Sequence, residues 1–468
     1  RRLMRARIRL GMFDPPADVS CNDIVYDATE LATNDAHNAI NRQASEESMT
    51  LLKNDDDALP LSADSVRTLG LVGFQSNNAG ILSGNYAGSA NTGNWGKTIT
   101  QTLTGKVATL MQADGCSDIL CKEAADPHGF DAAKQVAAES DAVVVLLGLA
   151  FDFYCAGGGG GSDKDASASS SSSSSSFDLD DLDDLVAQSS DGTNNFCECE
   201  GRDRDAIELP SSQKQLVLDM RASLGPGKRL VAVLIHGGAV ALDDETLGAL
   251  DAIVDAFYPG PHGAQAIADV LFGAFSPSGR APITFYRKTA DLPKLDEMDW
   301  YPNAAKNSPG ISYRYFQGEV LFPFGFGLSY TEFAYSGLKP ASATIGPCDT
   351  LAVSIDVVNT GKMDSDEVVQ CYVKQPNASV PVPQVRLAAF ARAHVEVGQT
   401  VTVSLSILPQ SHAAVLDAVT GDAIYTAGSG VVVEAGTFEL YCGGGQPDFT
   451  NTLKAEIVVR GESKLDAC

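Results

Sequence analysis

Apolar and polar positions change rhythm more than once along the chain. Over residues 30–53 apolar positions recur at helical spacing with charges between them, which predicts an amphipathic helix. From residue 69 onward short unbroken apolar runs take over. They are "LGLVGF" at 69–74, "DAVVVLLGLA" at 141–150, "RLVAVLIHGG" at 229–238, "DAIVDAFYPG" at 251–260 and "APITFY" at 281–286. Helical patterns fall among them, at 129–140, 211–224 and 263–272. A strand that stays apolar throughout must be buried on both faces. Such strands alternating with helices therefore predict an α/β fold, a mainly parallel sheet sandwiched between helices. Ligands of these sheets sit at the loops leaving the carboxyl ends of the strands. "GLAFD", "HGGAV" and "YPGPHG" all hold that position.

Beyond residue 345 the period drops to two. "LAVSIDVVNTG", "EVVQCYVKQ", "TVTVSLSIL", "GTFELYC" and "LKAEIVV" alternate apolar and polar residues between turn residues. That pattern predicts a β-sandwich of short antiparallel strands. Four stretches follow: a lead-in and linker over 1–62, the α/β sandwich over 63–290, a connecting segment over 291–345, and the β-sandwich over 346–468. The connecting segment carries "LFPFGFGLSYTEF", whose aromatics and glycines suit a tight, ordered crossing.

An insert over about 152–196 interrupts the α/β pattern with serine, glycine and aspartate. It holds too little apolar surface to offset its ordering entropy and is expected to be a disordered excursion. Its acidic part, 178–184, lacks the alternating ligands and turn glycine of an EF-hand. Its glycines lack the Gly-Lys-Ser/Thr of a phosphate loop. Cys197 and Cys199 have no second Cys or His pair at ligand spacing, so no metal and no organic cofactor is expected.

Composition narrows the classes further. The chain has 468 residues, 44% of them hydrophobic, and a formal net charge of −27. That charge repels nucleic acid and anionic membrane surfaces and suits a neutral ligand. No apolar run reaches the length of a spanning helix. The opening "RRLMRARIRLGMF" lacks the apolar core of a signal peptide. Its arginines are placed on the solvated face of a helix, with Leu3, Met4, Ile8 and Leu10 interleaved. Among ten cysteines, Cys116 and Cys121 are spaced as a small disulfide loop would need. Cys348, Cys371 and Cys442 fall among the strands with their pairing open. The sequon Asn377-Ala378-Ser379 is compatible with secretion.

The most chemically loaded stretch is "CECEGRDRDAIELP", 197–210. Together with "RLGMFDPP", "LLKND", "LPL", "GNYAG", "YPG", "SPSGRAPITFY", "YRYF" and "FPFGFGLSYTEF", in that family's order, it resembles the glycoside hydrolase family 3 enzymes, in particular their eukaryotic β-xylosidase branch. The resemblance implies a retaining glycosidase built from an N-terminal β/α barrel, an α/β sandwich and a fibronectin type III-like domain. The family's nucleophile is an aspartate on the barrel, and "RLGMFDPP" normally closes that barrel. Residues 1–62 are then expected to be the barrel's end and the linker. The implied substrates are terminal β-1,4-linked xylosyl or arabinosyl residues of xylan, hydrolysed by a secreted enzyme. The isolated chain, without the nucleophile, is expected to be inactive. A β-glucosidase-like specificity and a non-catalytic carbohydrate-binding fragment are the alternatives.

Retaining hydrolysis needs two carboxyl groups about 5–5.5 Å apart, one attacking and one serving as acid and then base. Carried over from the family, the acid/base is Glu200, with Glu198 the alternative two positions earlier. Arg202 and Arg204 would favour its ionised form, and Glu198 and Asp203 would oppose them. For Arg202, Asp203 and Arg204 the plainer role is a salt-bridged loop. His236 and His262 are read as loop or packing residues, since no Gly-x-Ser-x-Gly elbow accompanies them. Tyr86 and Tyr258 are read as packing aromatics.

Overall fold

A computed structural model describes residues 2–19, 34–84, 96–116, 121, 130–149, 198, 204–293, 303, 308, 310–379, 381–412, 414–416 and 431–465. Helix α1 (Arg2–Arg9) exposes Leu3, Met4 and Ile8 as well as Arg5, Arg7 and Arg9. Helix α2 (Asp35–Ser48) is opened by Asn34, whose side chain accepts from His37 N at 3.1 Å. It stops at Ser48, short of the expected residue 53, because Thr50–Asn54 forms strand β1 instead. Met49, Leu51 and Leu52 are all buried. A surface helix covers a single stripe and could not bury consecutive positions, whereas a strand can.

The α/β part continues with β2 (Thr68–Val72), α3 (Ile99–Leu103), β3 (Thr109–Ala113), α4 (Asp131–Glu139), β4 (Ala142–Gly148) and α5 (Ser211–Ser223). It closes with β5 (Arg229–Ile235), α6 (Asp244–Ala249), β6 (Ala252–Asp255) and α7 (Gly263–Leu271). The sheet runs β1-β6-β5-β4-β2-β3, parallel throughout except for β1, which pairs antiparallel with β6. Successive residues of the central strands serve opposite layers. Val144, Leu146, Val231, Val233 and Ile235 pack with α3 and α7. Val143, Val145, Leu147, Leu230, Ala232 and Leu234 pack with α4 and α5. The expected parallel α/β sandwich is therefore present.

"APITFY" departs from expectation. Only β7 (Phe285–Tyr286) is a strand, and it pairs with β8 (Val320–Phe322) outside the main sheet. Pro282 has no N–H to give to a ladder, which removes 281–286 from a central position.

The second part comprises β9 (Phe333–Pro340), β10 (Thr344–Ile345), β11 (Leu351–Asn359), β12 (Ser365–Lys374), β13 (Arg386–Val395), β14 (Thr400–Ile407), β15 (Ala414–Leu416), β16 (Val431–Val433), β17 (Gly436–Gly443) and β18 (Thr452–Val459). One sheet runs β10-β18-β17-β12-β13, a second β14-β11-β9, and β15 and β16 lie in a further small sheet. Alternate residues of β11, Leu351, Val353, Ile355 and Val357, meet Val369, Phe438, Leu440 and Ile457 in one core. β9 belongs to this sandwich, so it begins ahead of the expected boundary at 346. Cys371 and Cys442, opposite each other on β12 and β17, are disulfide-bonded, as are Cys116 and Cys121.

The glycine- and aromatic-rich crossing ties the two parts together. Gly325 N donates to Ala281 O and Leu328 N to Leu51 O. Gln370 Nε2 on β12 donates to Gly325 O at 2.9 Å. Arg280 and Glu367, both largely buried, pair across the junction at 2.7 Å.

Candidate active site

Strands β4, β5 and β6 end side by side, and the residues that follow them build the most elaborate polar cluster among the described residues. At the end of β4, Gly148 takes a φ of 130° and lies against Ile235, where any Cβ would come within 2.0 Å of Ile235 O. The side chain of Gln213 caps this end, accepting from Gly148 N at 3.0 Å and donating to Gly148 O at 2.8 Å.

Past β5 the chain reads His236-Gly237-Gly238, and past β6 Ala256-Phe257-Tyr258. These two turns close on one carboxylate, Glu198. Gly237 N donates to its Oε2 and Gly238 N to its Oε1 at 2.7 Å. The Tyr258 hydroxyl donates to Oε2 at 2.6 Å. The side chain of Glu198 is 10% exposed, so its oxygens are largely withdrawn from water. The approach is close at both glycines. A Cβ on Gly237 would lie 2.8 Å from Tyr258 Cε2, and one on Gly238 would lie 2.7 Å from Arg204 Nη2.

Arg204 lies beside the cradle. Its Nη2 donates to Ala239 O at 2.8 Å and its Nη1 stands 3.8 Å from Glu198 Oε1. Burial lowers the pKa of its guanidinium, against the pull of Glu198. Beneath the glycines His236 and Asp255 are both wholly buried, with Nε2 3.3 Å from Oδ1. Burial lowers the His236 imidazole, but the charge of Asp255 and then Glu198 outweigh it, and its pKa is raised above the ordinary value.

The placement of the expected residues is uneven. Glu200, Arg202, Asp203, Cys197, Cys199, Tyr86 and the insert over 152–196 lie outside the described residues. Glu198, the alternative, is held at the strand ends. Arg204 stands beside it, held by Ala239 O. His236 is packed, as expected, but against an acid that sequence reading did not pair with it. His262 lies apart, with Nε2 3.3 Å from Asn38 Oδ1. Tyr258 packs against the core and also donates to Glu198, a second role that its packing signature hid. The polar residue closing the apolar "AIVD" of β6 was the signal for Asp255.

Two grooves flank this region. One, of about 520 Å³, is bounded by Asn41, Ser45 and Ser48 of α2 and by Tyr258, Pro259 and Gly260, so it opens beside the cradle. The other, of about 660 Å³, is lined by several charged side chains that are already paired. Lys214 there meets Asp243 and Glu245, and Arg287 meets Asp244. Among the described residues no group of His, Cys, Asp and Glu is placed to hold a metal, and no helix is long and apolar enough to cross a membrane.

Comparison with known proteins accounts for the arrangement. Residues 49–330 match the glycosyl hydrolase family 3 C-terminal domain, and residues 367–446 match a fibronectin type III-like domain. The chain is 29% identical over 455 residues to beta-D-xylosidase 1 of Arabidopsis thaliana, covering 88% of this chain and 50% of that protein. It is 38% identical over 212 residues to a xylan 1,4-beta-xylosidase of Xylanibacter ruminicola, covering 45% of this chain and 23% of that protein. A solved β-glucosidase from Erythrobacter marinus superposes with a TM-score of 0.68 at 27% identity, over 96% of this chain and 53% of its own. The chain thus spans about half the length, or less, of the relatives it matches. With its parallel α/β sandwich, its fibronectin-like sandwich and these matches, the chain belongs to glycosyl hydrolase family 3, of which it carries the C-terminal portion.

Proposed function

We propose that this chain is the part of a retaining β-glycosidase that supplies the acid/base carboxyl group, acting on terminal β-1,4-linked xylosyl or arabinosyl residues of xylan. The observation that carries the reading is the cradle of Gly237, Gly238 and Tyr258 around Glu198 at the strand ends. Both oxygens of Glu198 accept hydrogen bonds, so the carboxyl group is fixed in place and direction. We assign the acid/base role to Glu198 on this geometry, with Glu200, the residue first carried over from the family, as the alternative that experiment separates.

In the first step the acid protonates the departing oxygen while the nucleophile attacks the anomeric carbon. In the second the same group takes a proton from water. Tyr258 and the two amides do not take part in bond-making. They fix where the carboxyl group points, which is the larger share of what a general acid needs. The nucleophile belongs to a barrel domain, so the chain alone is expected to turn over nothing. The names of the relatives support two sugar specificities, xyloside first and β-glucoside second, and barrel residues decide between them. Secretion is supported by the Cys116–Cys121 and Cys371–Cys442 disulfides, since such bonds persist in oxidising compartments.

The test is hydrolysis of an aryl β-xyloside by the chain alone and by the chain joined to a family barrel. Turnover only in the joined protein supports the reading. Turnover by the chain alone, abolished by Glu198→Gln or Glu200→Gln, overturns the division of labour proposed here.

A further inference from the structure

The backbone ladder between β5 and β6 ends at Leu234 and Asp255, with Ala256 N donating to Leu234 O as its last bond. Everything that holds Glu198 lies beyond that point. The two turns that grip the carboxylate therefore need some other tie, and side chains provide it. His236 immediately precedes Gly237, and Asp255 stands three residues before Tyr258. Their contact at 3.3 Å joins the two turns at their base.

The surroundings are built for that contact. Asp255 Oδ1 also accepts from Phe257 N at 3.0 Å, shaping a turn in which Phe257 takes a φ of 49°. The Phe257 ring lies 4.8 Å from the His236 ring and the Phe285 ring 6.2 Å from it, so aromatic walls cover the imidazole. The charged groups acting on His236 are Asp255 from β6 and Glu198 from above, while β7 presents only Phe285. Two ionisable side chains at zero exposure are costly to desolvate, and packing alone would be served better by apolar residues.

We propose that His236 and Asp255 are a positioning pair, a buried clasp that holds the Gly237 and Gly238 amides and the Tyr258 hydroxyl in register as a single cradle for the Glu198 carboxylate. The pair touches no substrate and acts through the two turns. The proposal rests on Glu198 being the acid/base for its catalytic meaning, but not for its structural content.

Amide exchange and chemical shift, followed by NMR on the isotope-labelled chain, test it. In the wild type the Gly237 and Gly238 amides exchange slowly and shift when Glu198 is replaced by Gln. The double variant His236→Leu/Asp255→Val exchanges a buried His–Asp contact for apolar side chains, a change that folds tolerate. The clasp predicts that Gly237 and Gly238 then exchange about tenfold faster or more, while the amides of β4 keep their rates. His236→Gln, which keeps a donor towards Asp255, restores part of the protection. Unchanged rates at Gly237 and Gly238 in the folded double variant overturn the proposal. Should that variant not fold, His236→Phe, which removes the contact to Asp255 but keeps a ring against Phe257 and Phe285, carries the same reading. If the amides respond but Glu198→Gln leaves turnover of the joined protein unchanged, the clasp stands and the acid/base assignment falls. If Glu198→Gln abolishes turnover and the amides do not respond, the reverse holds.

Discussion

The Tyr258 hydroxyl and the Glu198 carboxylate meet at 2.6 Å, although 60 positions separate them in sequence. The contact joins the turn after β6 to a residue that follows the low-complexity insert in sequence. It makes Tyr258 the side-chain donor of the cradle, beside two backbone amides. Tyr258→Phe keeps the ring packed and deletes only the donor. The expected cost in stability is about 1 kcal/mol, that of a net hydrogen bond, read as a lower urea midpoint. In the joined protein kcat should fall about tenfold to a hundredfold with KM little changed, since the acid/base is misaligned rather than lost. An unchanged kcat would separate Tyr258 from the chemistry.

Gly237 is tested by the smallest possible addition. A Cβ there would sit 2.8 Å from Tyr258 Cε2 and 3.1 Å from Glu198 Oε2. Gly237→Ala should therefore push Glu198 and Tyr258 apart and destabilise the chain by about 1–3 kcal/mol, as overpacking does. Thermal or urea unfolding measures it. Gly248→Ala, where a Cβ meets nothing within 4 Å, is the control and should not destabilise.

The buried pair predicts a pH dependence of known sign. Burial lowers the His236 imidazole, Asp255 and Glu198 more than compensate, and the folded-state pKa lies above that of the unfolded chain, about 6.5. A group raised in this way contributes stability that is complete below the unfolded value and is lost as pH rises through the folded value. The unfolding free energy of the wild type relative to His236→Leu/Asp255→Val should accordingly decline from near neutrality upward. A difference that stays constant with pH, or grows, contradicts the prediction.

Cys371–Cys442 and Cys116–Cys121 close loops of very different size, with 71 and 5 residues of separation. Loop-closure entropy then assigns about 4 kcal/mol to Cys371–Cys442 and about 2 kcal/mol to Cys116–Cys121. The paired alanine variants, compared by denaturant unfolding under oxidising conditions, should rank in that order.

Much of this architecture was legible in the chain, and the misses share a cause. β4, β5 and β6 announced themselves because burial on both faces keeps their interiors apolar. β1 and β3 did not. β1 is an edge strand that ends on Lys53 and Asn54, and it runs straight on from the helical spacing of α2. β3 is exposed or half-buried along its whole length. The strand-end rule pointed to "HGGAV" and "YPGPHG" as binding loops, and both turns grip Glu198. Contacts between those loops were out of reach. A phenol that packs and donates looks like one that only packs. The approach of His236 to Asp255 depends on two strand ends lying side by side. Glu198 and Glu200 both face the same chemistry in sequence, and only Glu198 is among the described residues.

The assignment of Glu198 is tested most directly by leaving-group dependence in the chain joined to a family barrel. An acid/base variant fails where the departing oxygen needs a proton and survives where it does not. Glu198→Gln should lose about 10²–10⁴-fold in kcat/KM on a phenyl β-xyloside, lose far less on a dinitrophenyl β-xyloside, and recover turnover with added azide. Glu200→Gln should show no such split between the two substrates. The split appearing in Glu200→Gln and not in Glu198→Gln would contradict the account.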